Sequence, residues 1–235
     1  MRINVKKTRQ LVDRFQSEIR KNADIILEDI AVKEIDFSKT GLFADCDTIT
    51  PIFTEQGRIY VDPSVEYNPD AISIEYVVLH ELGHKAQKAF NPVMHFDIIE
   101  VLTGFRIHDR NVLWRSLAFM KLVLEGKELV GESLNEGLAN CFALDIFPDF
   151  CNISKEGIHT LAEHRSFRKE LIENPRIDSR RKCFAQGYNF FSSIYRKHSL
   201  PGVISYVRNI SGHRIPSFKE MAAPKGFLDK EMPEF

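Results

Sequence analysis

The stretch Val77-Val78-Leu79-His80-Glu81-Leu82-Gly83-His84 constrains the fold more than any other part of the chain. It sets His-Glu-x-x-His inside an apolar, helix-compatible run. On an α-helix, residues four apart lie one above the other, so the imidazoles of His80 and His84 face one side about one turn apart. Two nitrogen donors at that separation suit one zinc ion. Glu81 lies about 100° further round, off the line of ligands but within reach of a water held at the metal. With 8 His and 33 acidic residues among 235, a shuffled chain carries the pattern at most about 0.04 times. The bland alternative is a buried helix whose histidines bond to neighbours. The flanks favour the metal reading: Asp70 can cap a helix over 71–89, and Ile74, Val77 and Val78 share one side at helical spacing.

Composition excludes several classes. A chain of 235 residues, 43% hydrophobic and 28% charged, is that of a globular protein with one large domain or one domain and an insertion. The net charge of −1 gives no reason to expect nucleic acid or an anionic membrane as partner. Arg180-Arg181-Lys182 reads as a solvated helix face. No apolar run reaches membrane-spanning length. Residues 1–7 lead into a charged segment and not an apolar core, so no signal peptide is predicted and the expected location is the cytoplasm. Cys46, Cys141, Cys151 and Cys183 lack C-x-x-C spacing and read as free thiols, mostly packed as small apolar groups.

Along the chain, Leu11, Phe15, Ile19 and Ile26 recur at roughly helical spacing within residues 8–29, which predicts an amphipathic helix. Residues 30–37 alternate as a strand, 42–50 form a weaker strand candidate, and 57–62 form a short strand ended by Pro63. The acidic and proline flanks of this last strand suit a sheet edge. The metal helix follows and stops at Asn91-Pro92. Two apolar helical patterns fill 92–131, which reads as a helical insertion. A helix over 133–144 closes at Pro148. Further helices are predicted from Ser154 to about 173, from 179 to 198 after Asp178, and from Pro201 to 207. The tail from 211, with Pro216, Pro224 and Pro233, reads as mostly irregular. The whole, 1–235, is read as one α+β domain: a small mixed sheet of about three short strands on the N-terminal side, then a mostly helical remainder.

Two histidines leave a zinc site half made, because a catalytic site needs a third protein ligand and an open position for water. Glu136, on a second helix, is the best candidate; a solvated glutamate on an amphipathic helix is the alternative. Glu136, Ala139 and Asn140 share a helical face. Gly137 and Ala139 are small enough to let this helix approach the His80/His84 helix. Asn140 can accept an N–H from a ligand histidine and so fix its tautomer.

His80-Glu81-Leu82-Gly83-His84 followed by Asn135-Glu136-Gly137-Leu138-Ala139-Asn140 resembles the gluzincin metallopeptidases, in which two histidines of one helix and a glutamate of a later helix bind zinc. Glu136-x-x-Ala139-Asn140-x-Phe142-Ala143, followed by Pro148, is similar to the ImmA/IrrE group of cytosolic peptidases that cleave regulatory proteins. The resemblance spans about 57–148. It departs from the usual pattern in the spacing of 136 − 84 = 52 residues between His84 and Glu136. The helix carrying Gln186-Gly187-Tyr188 is more similar to other small gluzincins. The resemblance implies a zincin-like fold and zinc-dependent hydrolysis of a protein or peptide substrate. Glu81 would take a proton from water and deliver it to the leaving amine, and the strand 57–62 would pair with extended substrate. Tyr188 is the first candidate for an oxyanion donor, ahead of Tyr195, His159, His164 and His213. The reading from a different class is a non-proteolytic zinc-binding sensor or interaction module on the same fold, against which the intact Glu81 argues.

Overall fold

The computed structural model describes residues 2–27, 30–36, 52–55, 58–64, 73–90, 128–150, 179–209 and 215–233. Together they form a mostly helical α+β arrangement in which helices cover a small sheet. Helix α1, Val5–Ala23, starts where the Asn4 side chain accepts the Lys7 N–H at 2.8 Å. It buries Thr8, Val12, Phe15 and Ile19 along one stripe. It ends at Asp24, whose backbone turns left-handed (φ 52°), a conformation that aspartate tolerates better than most residues. The helix therefore stops six residues short of the predicted end. Ile26, placed by the spacing on the apolar face, is instead 67% exposed.

Strands β1 (Ala31–Glu34), β2 (Ile52–Glu55) and β3 (Arg58–Val61) form the sheet. Their order is β1-β3-β2. β1 runs parallel to β3, with Val32 opposite Ile59, and β2 runs antiparallel to it, with Phe53 opposite Tyr60. The edge position predicted for 57–62 is thus wrong. β3 is the central strand, and both its sides are already paired. The flanking residues misled because Asp62 does not guard an edge. It is buried, and its carboxylate accepts the Ser64 N–H at 2.8 Å, closing a turn. The strand predicted at 42–50 lies outside the described residues.

Helix α2, Ile74–Phe90, carries the motif. Asp70 lies outside the described residues; the cap is Ser73, whose hydroxyl accepts the Tyr76 N–H at 3.1 Å. α2 buries Ile74, Val77, Val78, Leu79, Leu82, Ala86 and Phe90. At about 1.5–3 kcal/mol for each large side chain, this burial outweighs any propensity term. The helix packs against α1, β2 and the two helices that follow. Glu75, Tyr76, His80, Glu81 and Lys85 stay half-exposed, so His80 and Glu81 occupy its more open side, while His84 is buried.

Helix α3 spans Glu128–Cys141. It starts before the predicted position and runs through Gly131, so 128–131 belong to it and not to an insertion; 91–127 lie outside the described residues. It also ends earlier than predicted. Phe142–Ile146 widen into a π turn in which the Phe147 N–H reaches the Phe142 carbonyl at 3.1 Å, and a short 3-10 turn, Pro148–Phe150, follows.

Helix α4, Ser179–Arg208, is two helical segments broken at Ser199 (φ 55°, ψ −165°), with Pro201 in the first turn of the second. α3 lies between α2 and α4. The tail is not irregular. Ser217 caps helix α5, Phe218–Ala222, through a reciprocal capping box with Glu220, and helix α6 follows at Lys225–Glu231. Met221, Phe227 and Leu228 join the core, and that burial overrides the proline signal. The helix predicted from Ser154 lies outside the described residues. Among the described residues, no helix is long and apolar enough to cross a membrane.

Candidate metal centre

Two glycines set the helix spacing on which the site depends. A Cβ built on Gly83 would lie 2.8 Å from the Ala139 Cα and 3.1 Å from both the Ala139 carbonyl oxygen and the Phe142 Cβ. The bare Gly83 backbone therefore admits α3 at Ala139, as the small residue there leads one to expect. Gly137 does different work. It faces α4, where its backbone meets Gly187. Residues 137 and 139 lie about 200° apart on a helix, so they serve opposite neighbours. Gly187 in turn packs on the Ser133 carbonyl. α3 is thus held close on both sides by positions that admit no Cβ.

This spacing brings His80, His84 and Glu136 together. The two Nε2 atoms lie 3.2 Å apart. Glu136 Oε2 is 3.2 Å from His80 Nε2, and Oε1 is 3.7 Å from His84 Nε2. One donor atom from each residue lies within 4.8 Å of the others. Ligands around a tetrahedral ion with bonds of about 2.0 Å stand about 3.3 Å apart. The two contacts of His80 Nε2 match that edge; the His84 contact is made by the other Glu136 oxygen and is wider by about 0.4 Å. The donor set, two imidazole nitrogens and one carboxylate, is one that zinc accepts and that magnesium or calcium disfavours. The residues present therefore fit a zinc ion.

The two histidines are supported unequally. Asn140 Oδ1 lies 3.1 Å from His80 Nδ1. An amide oxygen only accepts, so a proton shared with it is on Nδ1; Nε2 faces His84 and Glu136, where it donates to the carboxylate when the ring is charged and offers its lone pair when the ring is neutral. The same oxygen accepts the Tyr76 hydroxyl. The Tyr76 ring stands 5.9 Å from the His80 ring. His84 is buried, and among the described residues its Nδ1 meets no hydrogen-bond partner. Its orientation is set on the Nε2 side.

Electrostatics follow the same geometry. Burial pushes the His80 imidazole down, but the hydrogen bond and charge of Glu136, the charge of Glu81 and the Asn140 contact outweigh it, and the net pKa is above the ordinary value of 6.5. Glu81 is half-buried on α2, near enough to His80 to act on its charge. No described residue hydrogen-bonds to its carboxylate.

The other predicted residues fall elsewhere. Tyr188 is 5% exposed and belongs to the core on α4, so its placement lends no support to an oxyanion role. Tyr195 is half-buried, and burial, with the charges of Cys141 and Asp145, pushes its phenol up. The Cys141 thiol is buried and pushed well up, chiefly by that burial, so it is inert. His159, His164 and His213 lie outside the described residues. Sequence reasoning missed Tyr76. Its position four residues before His80 puts it on the ligand side of α2, and that spacing was the signal available.

No family model matches the chain, and no curated protein or solved structure is found similar to it. The chemistry of the site is therefore read from its own residues.

Proposed function

We propose that this chain is a zinc-dependent metalloendopeptidase of the gluzincin kind, with His80, His84 and Glu136 as ligands and Glu81 as general base. The observation that carries the reading is the convergence of two nitrogen donors and one carboxylate, from two helices, at a spacing one ion can bridge, beside a carboxylate that no described residue hydrogen-bonds. A purely structural zinc site is normally closed by a fourth protein ligand, and a catalytic one keeps a position open. The set here comprises three residues among those described.

Bound zinc supplies Lewis acidity, polarising a carbonyl and acidifying water. The protein's own groups do the rest. Asn140 holds His80 in the tautomer that offers Nε2. Glu81 accepts a proton from the attacking water and returns it to the departing amine. Because β3 is closed on both sides, it cannot take a substrate strand. β2, one of the two outer strands among those described and packed on α2, which carries the motif, is the strand along which an extended peptide would pair. Action on cytoplasmic regulatory proteins, as in the ImmA/IrrE group, belongs to the same proposal.

The test is Glu81→Gln. The amide keeps the size of the side chain and cannot accept the proton. The variant should bind zinc like wild type and lose peptide hydrolysis by about 10²–10⁴-fold. Hydrolysis at the wild-type rate would overturn the assignment of the base.

A further inference from the structure

We infer that Tyr76 is a positioning residue of the metal centre: its hydroxyl locks the Asn140 amide, and the locked amide holds His80 ready for the metal. This rests on the metal reading above. Asn140 Oδ1 accepts from two donors, the Tyr76 hydroxyl and His80 Nδ1. The Tyr76 bond holds the amide at the place from which its oxygen meets His80 Nδ1, and an imidazole protonated on Nδ1 keeps its Nε2 lone pair for the metal. Without that bond the amide is free to rotate away, and His80 loses the contact that orients its ring and favours the Nδ1 proton. The alternative tautomer, protonated on Nε2, cannot ligate there.

Three features make Tyr76 a built part of the site. Its backbone N–H is fixed by the Ser73 cap at 3.1 Å. It stands four residues before His80, so both side chains leave α2 on one side. Its ring lies tilted against the His80 ring. His84 provides the contrast, since its Nδ1 meets no partner among the described residues. Among those residues, the Tyr76–Asn140–His80 chain is what orients the pair from the Nδ1 side.

The experiment is a double-mutant cycle on zinc affinity, with Tyr76→Phe, Asn140→Ala and both together, using a chelator of known affinity as competitor. Loss of a partner that orients a ligand histidine costs about 10–100-fold in metal affinity. Asn140→Ala should fall in that range. Tyr76→Phe should weaken zinc about 3–10-fold in the wild-type background, by the same route, and have no further effect once Asn140 is alanine. A second readout uses no metal: nitrogen NMR of the metal-free protein should report His80 protonated on Nδ1 in wild type, with the Nε2 tautomer entering in Tyr76→Phe. Equal losses in both backgrounds, or wild-type affinity in Tyr76→Phe with an unchanged tautomer, would overturn the inference while leaving the metal site standing. Failure of wild-type protein to bind zinc would overturn the metal reading itself and this inference with it.

Discussion

Gly83→Ala tests how tightly helix spacing controls the centre. The new Cβ would stand 2.8 Å from the Ala139 Cα, whereas carbon atoms rest about 3.5–4.0 Å apart. α2 and α3 must therefore part by about 1 Å along that line. The stability change is modest, since overpacking of about 1–3 kcal/mol is offset by about 1 kcal/mol from replacing a helical glycine with alanine. The metal site fares worse. Glu136 stands one turn before Ala139 on the helix that moves, and ligand distances tolerate about 0.2 Å. Zinc affinity should fall at least about tenfold, with a melting temperature within about 2–4 °C of wild type for each kcal/mol of net change. Chelator competition and thermal unfolding of the metal-free proteins measure the two effects separately. Wild-type zinc affinity in Gly83→Ala would refute the reasoning, because it would mean that Ala139 and Gly83 do not set the distance between the ligands.

Gly187→Ala should be much more damaging, because its Cβ would land on the Ser133 carbonyl; a loss of at least about 3 kcal/mol is expected in denaturant unfolding, and a change under 1 kcal/mol would contradict the α3–α4 packing described. Ser199→Gly should stabilise by about 1 kcal/mol, since φ 55°, ψ −165° is a conformation only glycine adopts without strain, and a lower melting temperature would contradict it. In the metal-free protein the raised His80 pKa adds stability that is fully present below 6.5, the ordinary value, and is lost as pH rises through the folded-state value. Unfolding experiments on wild type and His80→Gln should show this pH-dependent difference, and its absence would show that Glu136 does not hold the His80 proton.

The parts of the site carried by local spacing were readable from the amino-acid order. His80, Glu81 and His84 sit one turn apart or less, and helix geometry alone aims them. Glu136 and Asn140 are again a local pair, and the need for a third donor pointed to them. Contacts between distant segments were harder to read. β3 is central because it pairs with a strand 27 residues earlier, Ala31 opposite Arg58, and nothing in residues 57–62 encodes that partner. Gly137 was aimed at the wrong helix because its real neighbour, Gly187, is remote in sequence. Ser217 and Glu220 did display a capping box in the sequence, but the surrounding prolines outweighed it until the burial of Met221, Phe227 and Leu228 was visible. Tyr76 was overlooked because its role depends on Asn140, 64 residues away.

The central claim is that His80, His84 and Glu136 hold one zinc ion. Elemental analysis of protein purified without added metal, beside His84→Ala and Glu136→Ala, tests it most directly. About one zinc per chain in wild type and almost none in either variant is the result the site predicts. No zinc in the wild type, or zinc retained in Glu136→Ala, would contradict it.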